Sequence, residues 1–113
     1  MVQIWHNNRC GKSRDAKKYL DDHNIEYEIV EYLKGNFTAD DLKVIINKLG
    51  IVDINEMLRT KEKEYKELDV ASKTQDEIIA LVVQNPKLVE RPIVINNNKA
   101  VIARPLEKIE EVL

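Results

Sequence analysis

The apolar run Val2-Gln3-Ile4-Trp5 is followed, after only His6 to Cys10, by a stretch that sets Ala16, Tyr19 and Leu20 at helical spacing and runs to about Asn24. A buried strand joined to a helix by so short a loop leaves few folds open. The helix must pack back across the strand, and a second strand after it lies parallel to the first in a right-handed β-α-β unit. Tyr27-Glu28-Ile29-Val30-Glu31-Tyr32-Leu33, rich in β-branched and aromatic residues, supplies that second strand.

The same junction holds the only cysteine of the chain, Cys10, in the run His6-Asn7-Asn8-Arg9-Cys10-Gly11-Lys12-Ser13-Arg14. A cysteine at a helix N-terminus meets the positive end of the helix dipole and free backbone N–H groups, both of which favour thiolate over thiol. His6, Arg9, Lys12 and Arg14 add positive or polarisable groups. A lone intracellular cysteine is more often a small buried hydrophobe, and these neighbours turn the reading to a reactive thiol. One cysteine forms no internal disulfide, in keeping with a reducing compartment, so any resolving thiol comes from another molecule.

Beyond Gly35, Thr38 reads as an N-cap with Asp41 three residues on, followed by the apolar stripe Leu42, Ile45, Ile46 and Leu49, closed by Gly50. Asp53 to Leu58 reads as a short helix. Thr74 caps another that carries Ile78, Ile79, Leu81, Val82 and Val83 and ends at Asn85-Pro86. The charge run Lys61-Glu62-Lys63-Glu64 reads as a solvated, mobile connection. Pro92-Ile93-Val94-Ile95, the turn Asn96-Asn97-Asn98 and Ala100-Val101-Ile102-Ala103 form a β-hairpin, before an amphipathic helix from Pro105 with Leu106, Ile109 and Val112. His23, near the end of the first helix, suits an interaction with free carbonyls and receives no function.

Eighteen basic residues against twenty acidic ones give a net charge of −2, so no global basic field recruits nucleic acid or an anionic membrane. No stretch approaches the roughly 20 apolar residues of a membrane span, and the first residues lack the charged flank and apolar core of a signal peptide. A cytoplasmic location is expected. No zinc, P-loop or dinucleotide signature is present.

The order β-α-β, helices, β-β-α is that of a thioredoxin-like α/β fold with a mixed four-stranded sheet. It is expected as a single domain over residues 1–113, with a helical insertion at about 36–88. Within that order the run His6 to Arg14, then Leu58-Arg59, Arg91-Pro92-Ile93-Val94 and Arg104-Pro105, resembles the glutaredoxin-linked arsenate reductase family over essentially the whole chain. The family pattern is HNxxCGxSR, an LLR-type segment, an RPI segment and a second RP.

The resemblance implies a mechanism. The Cys10 thiolate attacks the arsenic of bound arsenate, glutathione forms a mixed disulfide, glutaredoxin reduces it, and arsenite is released. Arg59, Arg91 and Arg104 match the family's three arginines, and a guanidinium fork suits a tetrahedral oxyanion better than an ammonium does. Gly11, next to the nucleophile, joins them as a substrate-binding position. His6 is expected to pair with the thiolate and lower its pKa. Ser13, where a Cys-x-x-Cys motif has its second cysteine, is expected to cap the helix and support the thiolate. Thioredoxin-like proteins have a cis-proline opposite the active thiol, and Pro92 is the candidate.

The resulting expectation is a monothiol oxidoreductase, acting as a monomer with glutathione as co-substrate and no bound cofactor or metal. Two other readings differ from it. A noncatalytic regulator of the same superfamily binds RNA polymerase and uses a Cys-x-x-Cys redox switch; Ser13 argues against the switch and leaves polymerase binding open. A general glutathione-dependent thiol transferase acts on mixed disulfides and does not need all three arginines.

Overall fold

The computed structural model describes residues 1–113. Strands β1 (Val2–Trp5), β2 (Tyr27–Val30), β3 (Ile93–Asn96) and β4 (Lys99–Ile102) form one sheet in the order β2-β1-β3-β4. β1 and β2 are parallel, with Val2 opposite Tyr27, and are linked by helix α1 (Gly11–Asp22). β3 runs antiparallel to β1 and to β4, with Trp5 opposite Ile93 and Ile93 opposite Ile102. The hairpin between β3 and β4 turns at Asn97, whose φ of 55° lies in the left-handed region that asparagine tolerates. This mixed α/β sheet has the thioredoxin-like connectivity read from the sequence.

Side chains alternate across the strands and divide the core in two. Val2 and Ile4 of β1, Val94 of β3 and Ala103 after β4 face α1 and the C-terminal turn, packing on Ala16, Leu20, Ile109 and Val112. Trp5, Ile93, Ile95 and Ala100 face the other way, into a larger cluster with residues from the segment between β2 and β3. That segment holds helices α2 (Ala39–Leu49), α3 (Lys63–Glu67) and α4 (Gln75–Gln84) with several 3₁₀ turns. Strands that are apolar on both faces are thereby covered on both faces.

Helices α2 and α4 begin where their sequences say they should. Thr38 and Thr74 each accept from the backbone N–H three residues on, and Asp41 and Glu77 return the bond to the cap's own N–H. Gly50 ends α2 at φ 71°, the left-handed conformation that stops a helix.

Four local expectations are corrected. α1 stops at Asp22, with His23 as its C-cap, rather than at Asn24. The second strand stops at Val30, because Tyr32–Lys34 curls into a 3₁₀ turn closed by Gly35 at φ 72°. The last element, Leu106–Val112, is a 3₁₀ helix rather than an α-helix. Its apolar residues, Leu106, Ile109 and Val112, recur every three positions, which matches three residues per turn. The charge run is no free connection either, since Lys63 opens α3, Glu62 pairs with Arg59 and Glu64 with Lys87. No helix is long and apolar enough to cross a membrane.

Thr38→Ala and Thr74→Ala each remove one half of a capping box from an otherwise unchanged helix. Each is expected to lower the unfolding free energy by about 1 kcal/mol in urea denaturation, within a range of roughly 0.5–2; a loss of only a few tenths would show that tertiary packing alone sets these helix starts.

Candidate active site

Cys10 is the N-cap of α1, in extended backbone conformation at φ −95° and ψ 122°. Its own N–H donates to the Asn7 carbonyl at 3.0 Å, and its carbonyl accepts from Arg14 N–H. The loop from β1 to α1 is stitched from inside. Asn7 N–H donates to Ser13 Oγ at 3.0 Å, and Ser13 Oγ lies 2.6 Å from His6 Nδ1. With Asn7 donating to that oxygen, the hydroxyl proton is satisfied by Nδ1, which leaves Nε2–H towards Asn8 Oδ1 at 3.4 Å. Arg14 Nη1 donates to the Asn8 carbonyl at 3.1 Å.

His6 and Ser13 are both buried, at 5% and 0% exposure. Their expected roles change with that placement. Ser13 makes no side-chain cap on α1, and its hydroxyl is committed to His6 and Asn7. His6 does not pair with the thiolate and instead fixes the loop that carries it. What Ser13 offers the sulfur is its backbone N–H.

Burial pushes the Cys10 thiol up, yet the balance falls below its ordinary value. The backbone N–H of Ser13, the Arg91 guanidinium and the backbone N–H of Lys12 together outweigh desolvation. Arg104 Nη2 also lies 3.8 Å from the sulfur. Gly11 opens the helix beside it, and a Cβ there would meet only Arg14 Nη2 at an ordinary 3.7 Å. Space therefore does not demand a glycine at this position.

The arginines come from the segments before β3 and after β4 and from the segment between β2 and β3. The Arg91–Pro92 peptide is cis, and so is Arg104–Pro105, for which the sequence carried no expectation. Arg104 Nε donates to the Arg91 carbonyl at 2.6 Å and lies 3.3 Å from Glu90 Oε1. Glu90 Oε1 also accepts from the Arg91 N–H at 3.2 Å. Arg59 is brought in by the bridge between Leu58 and Val89, with its N–H on the Leu88 carbonyl at 2.7 Å. Its Nη1 meets Glu62 Oε2 at 3.0 Å. Arg59, Glu62, Glu90 and Arg104 line an open cavity of about 360 Å³. Arg91 and Arg104 thus stand at Cys10, while Arg59 shares the cavity with Arg104.

Three residues here escaped sequence reasoning. Glu62 and Glu90 orient two of the guanidinium groups. Tyr32 is fully buried, its ring stacked on Trp5 with centroids 5.7 Å apart. Burial pushes its hydroxyl up to about 12, and Arg91, Cys10 and Arg59 are the charges that act on it. That hydroxyl makes no well-aligned hydrogen bond, although the Arg91 guanidinium lies within reach of it. No group of three or more His, Cys, Asp and Glu stands together to hold a metal ion.

The ArsC family model matches residues 5–112. The chain belongs to the ArsC family. Among ArsC relatives it is 43% identical to an arsenate reductase of Neisseria meningitidis, over 99% of this chain and 97% of that protein. It is 42% identical to the uncharacterized protein YfgD of Escherichia coli, over 99% of this chain and 96% of that one. An ArsC structure, the arsenate reductase from Vibrio cholerae, superposes with a TM-score of 0.96 at 36% identity, covering 99% of this chain and 97% of its own.

The thiol's ionisation follows from these neighbours. Alkylation of Cys10 tracks the thiolate fraction, so its rate is expected to reach half-maximum at a pH below that of an ordinary thiol. Arg91→Ala removes a charge that lowers the thiol and leaves the burial that raises it, so the midpoint moves up. A midpoint that stays put would remove Arg91 from the thiolate's support.

Proposed function

We propose that this protein reduces arsenate to arsenite through Cys10, with glutathione and glutaredoxin as the electron donors. The observation that carries the reading is the meeting of one activated thiol with Arg91 and Arg104, and with Arg59 across the cavity. The relatives named as arsenate reductases support it. A general thiol transferase handles a mixed disulfide, which brings no tetrahedral anion for several guanidinium groups to hold.

In this reading the arginines and the free N–H groups at the head of α1, that of Gly11 included, hold the arsenate oxygens. The Cys10 thiolate attacks arsenic, an S–As bond forms and one arsenic-bound oxygen leaves as water after protonation. A glutathione thiolate then attacks Cys10 Sγ, and the electron pair of the S–As bond passes to arsenic, reducing As(V) to As(III). Arsenite leaves and the mixed disulfide between Cys10 and glutathione remains. A glutaredoxin thiolate takes the glutathionyl group and restores the Cys10 thiolate. Because the chain has no second cysteine, both reducing thiols come from outside, which suits the cytoplasm.

Arsenate-dependent NADPH oxidation, coupled through glutathione, glutaredoxin and glutathione reductase, tests the proposal. Wild-type protein is expected to turn over and Cys10→Ser to be inactive, with Arg104→Ala losing about 10²-fold or more in kcat/KM. Folded wild-type protein with an activated thiol and no turnover would overturn the assignment, and would direct attention to mixed-disulfide substrates and to polymerase binding.

A further inference from the structure

Two buried polar atoms at the site, Tyr32 Oη and Arg91 Nε, are sealed from solvent and make no aligned hydrogen bond. One is a hydroxyl oxygen able to accept and the other an N–H donor, so they satisfy each other if brought together. The hydroxyl faces the site. The Arg91 guanidinium already lies within reach of it and acts on it more strongly than Cys10 or Arg59, but none of its N–H groups is aligned with the oxygen. Tyr32 cannot do the moving, because its fully buried ring is stacked on Trp5 at an interplanar angle of 13° within the larger core. Arg91 is a long, partly exposed side chain whose backbone is fixed, its N–H on Glu90 and its carbonyl on Arg104, while its guanidinium stands between Cys10 and Tyr32.

A phenylalanine at position 32 would fill the same space and leave no orphaned hydroxyl. An aligned donor for that oxygen is wanting in the free protein. We propose that Tyr32 is a positioning residue for Arg91: when an oxyanion engages the two terminal nitrogens of the guanidinium, Arg91 Nε–H donates to Tyr32 Oη, and the plane of the fork is fixed against the anion. This rests on the oxyanion reading above. A guanidinium tied at Nε presents its remaining N–H pair in one orientation, which is what bidentate recognition requires. The stacked ring supplies the rigid base for that tie.

The test is protection of Cys10 from iodoacetamide by arsenate, without added thiols, in wild type, Tyr32→Phe, Arg91→Lys and the double variant. Urea unfolding of the free proteins accompanies it. Tyr32→Phe should unfold at the same or a higher urea concentration than wild type, and its alkylation without arsenate should be unchanged. It should need about tenfold more arsenate for half-protection, the loss of one charge-assisted hydrogen bond. In the Arg91→Lys background, where a single ammonium replaces the fork and leaves no plane for the hydroxyl to fix, Tyr32→Phe should cause no further loss of that size. Unchanged protection in Tyr32→Phe overturns the proposal, as does a lowered urea midpoint with unchanged protection, or a full additional loss in the Arg91→Lys background. If wild type itself gains no protection, the oxyanion reading fails and takes this proposal with it. Protection of wild type equal to that of Tyr32→Phe removes this proposal alone.

Discussion

The structure depends on a contest at one sulfur atom. Burial of Cys10 favours the neutral thiol, while the N–H groups at the head of α1 and the Arg91 guanidinium favour the thiolate, and the balance falls below the ordinary thiol value. Neither contribution exists without the fold. The helix start is fixed by the loop from β1, which Ser13 and His6 lock from within, and Arg91 is fixed by the entry to β3. The central pairing of β1 with β3 brings the two halves of the chain together, so the thiol and its cations lie far apart in sequence and adjacent in space.

Charge around this centre is nearly balanced in the free protein. Three guanidinium groups face the carboxylates of Glu62 and Glu90 and the sulfur of Cys10. The carboxylates hold Arg59 and Arg104 in place at half-exposed positions, where an ion pair is worth little by itself and an incoming anion can compete for the same N–H groups. Preorganised donors of this kind act on charge that develops at the reacting centre without having to reorganise as it appears. Tyr32 lies on the interior side of the same group, a rigid hydroxyl within reach of Arg91 but without an aligned hydrogen bond.

Much of this was legible in the sequence where the signal is local. The capping boxes at Thr38 and Thr74, the hairpin turn at Asn97 and the alternation of β1 needed only neighbouring residues. The ends of elements were less so, as with the strand that stops at Val30 and the last helix, where a three-residue apolar repeat also fits a 3₁₀ helix. The gathering of Arg59, Arg91 and Arg104 followed from resemblance to a family, since nothing in their spacing brings them together. Glu90 and Tyr32 carried no signal at all. One adjoins an arginine in a way that most surface glutamates do, and the other reads as one more apolar strand residue until its hydroxyl is seen to face the site. His6 shows the opposite error: proximity in sequence to Cys10 suggested a direct pairing, whereas the ring turns inward to Ser13.

The central proposal is that one cysteine, its thiol lowered by arginine and backbone N–H groups, passes electrons from an external thiol to an oxyanion. Mass spectrometry of the intact protein after mixing with arsenate and glutathione, without glutaredoxin, tests it most directly. The account predicts a single glutathionyl adduct on Cys10 that forms only when arsenate and glutathione are both present, together with release of arsenite. An adduct that forms equally well without arsenate, or none under conditions where the thiol is alkylated readily, would contradict it.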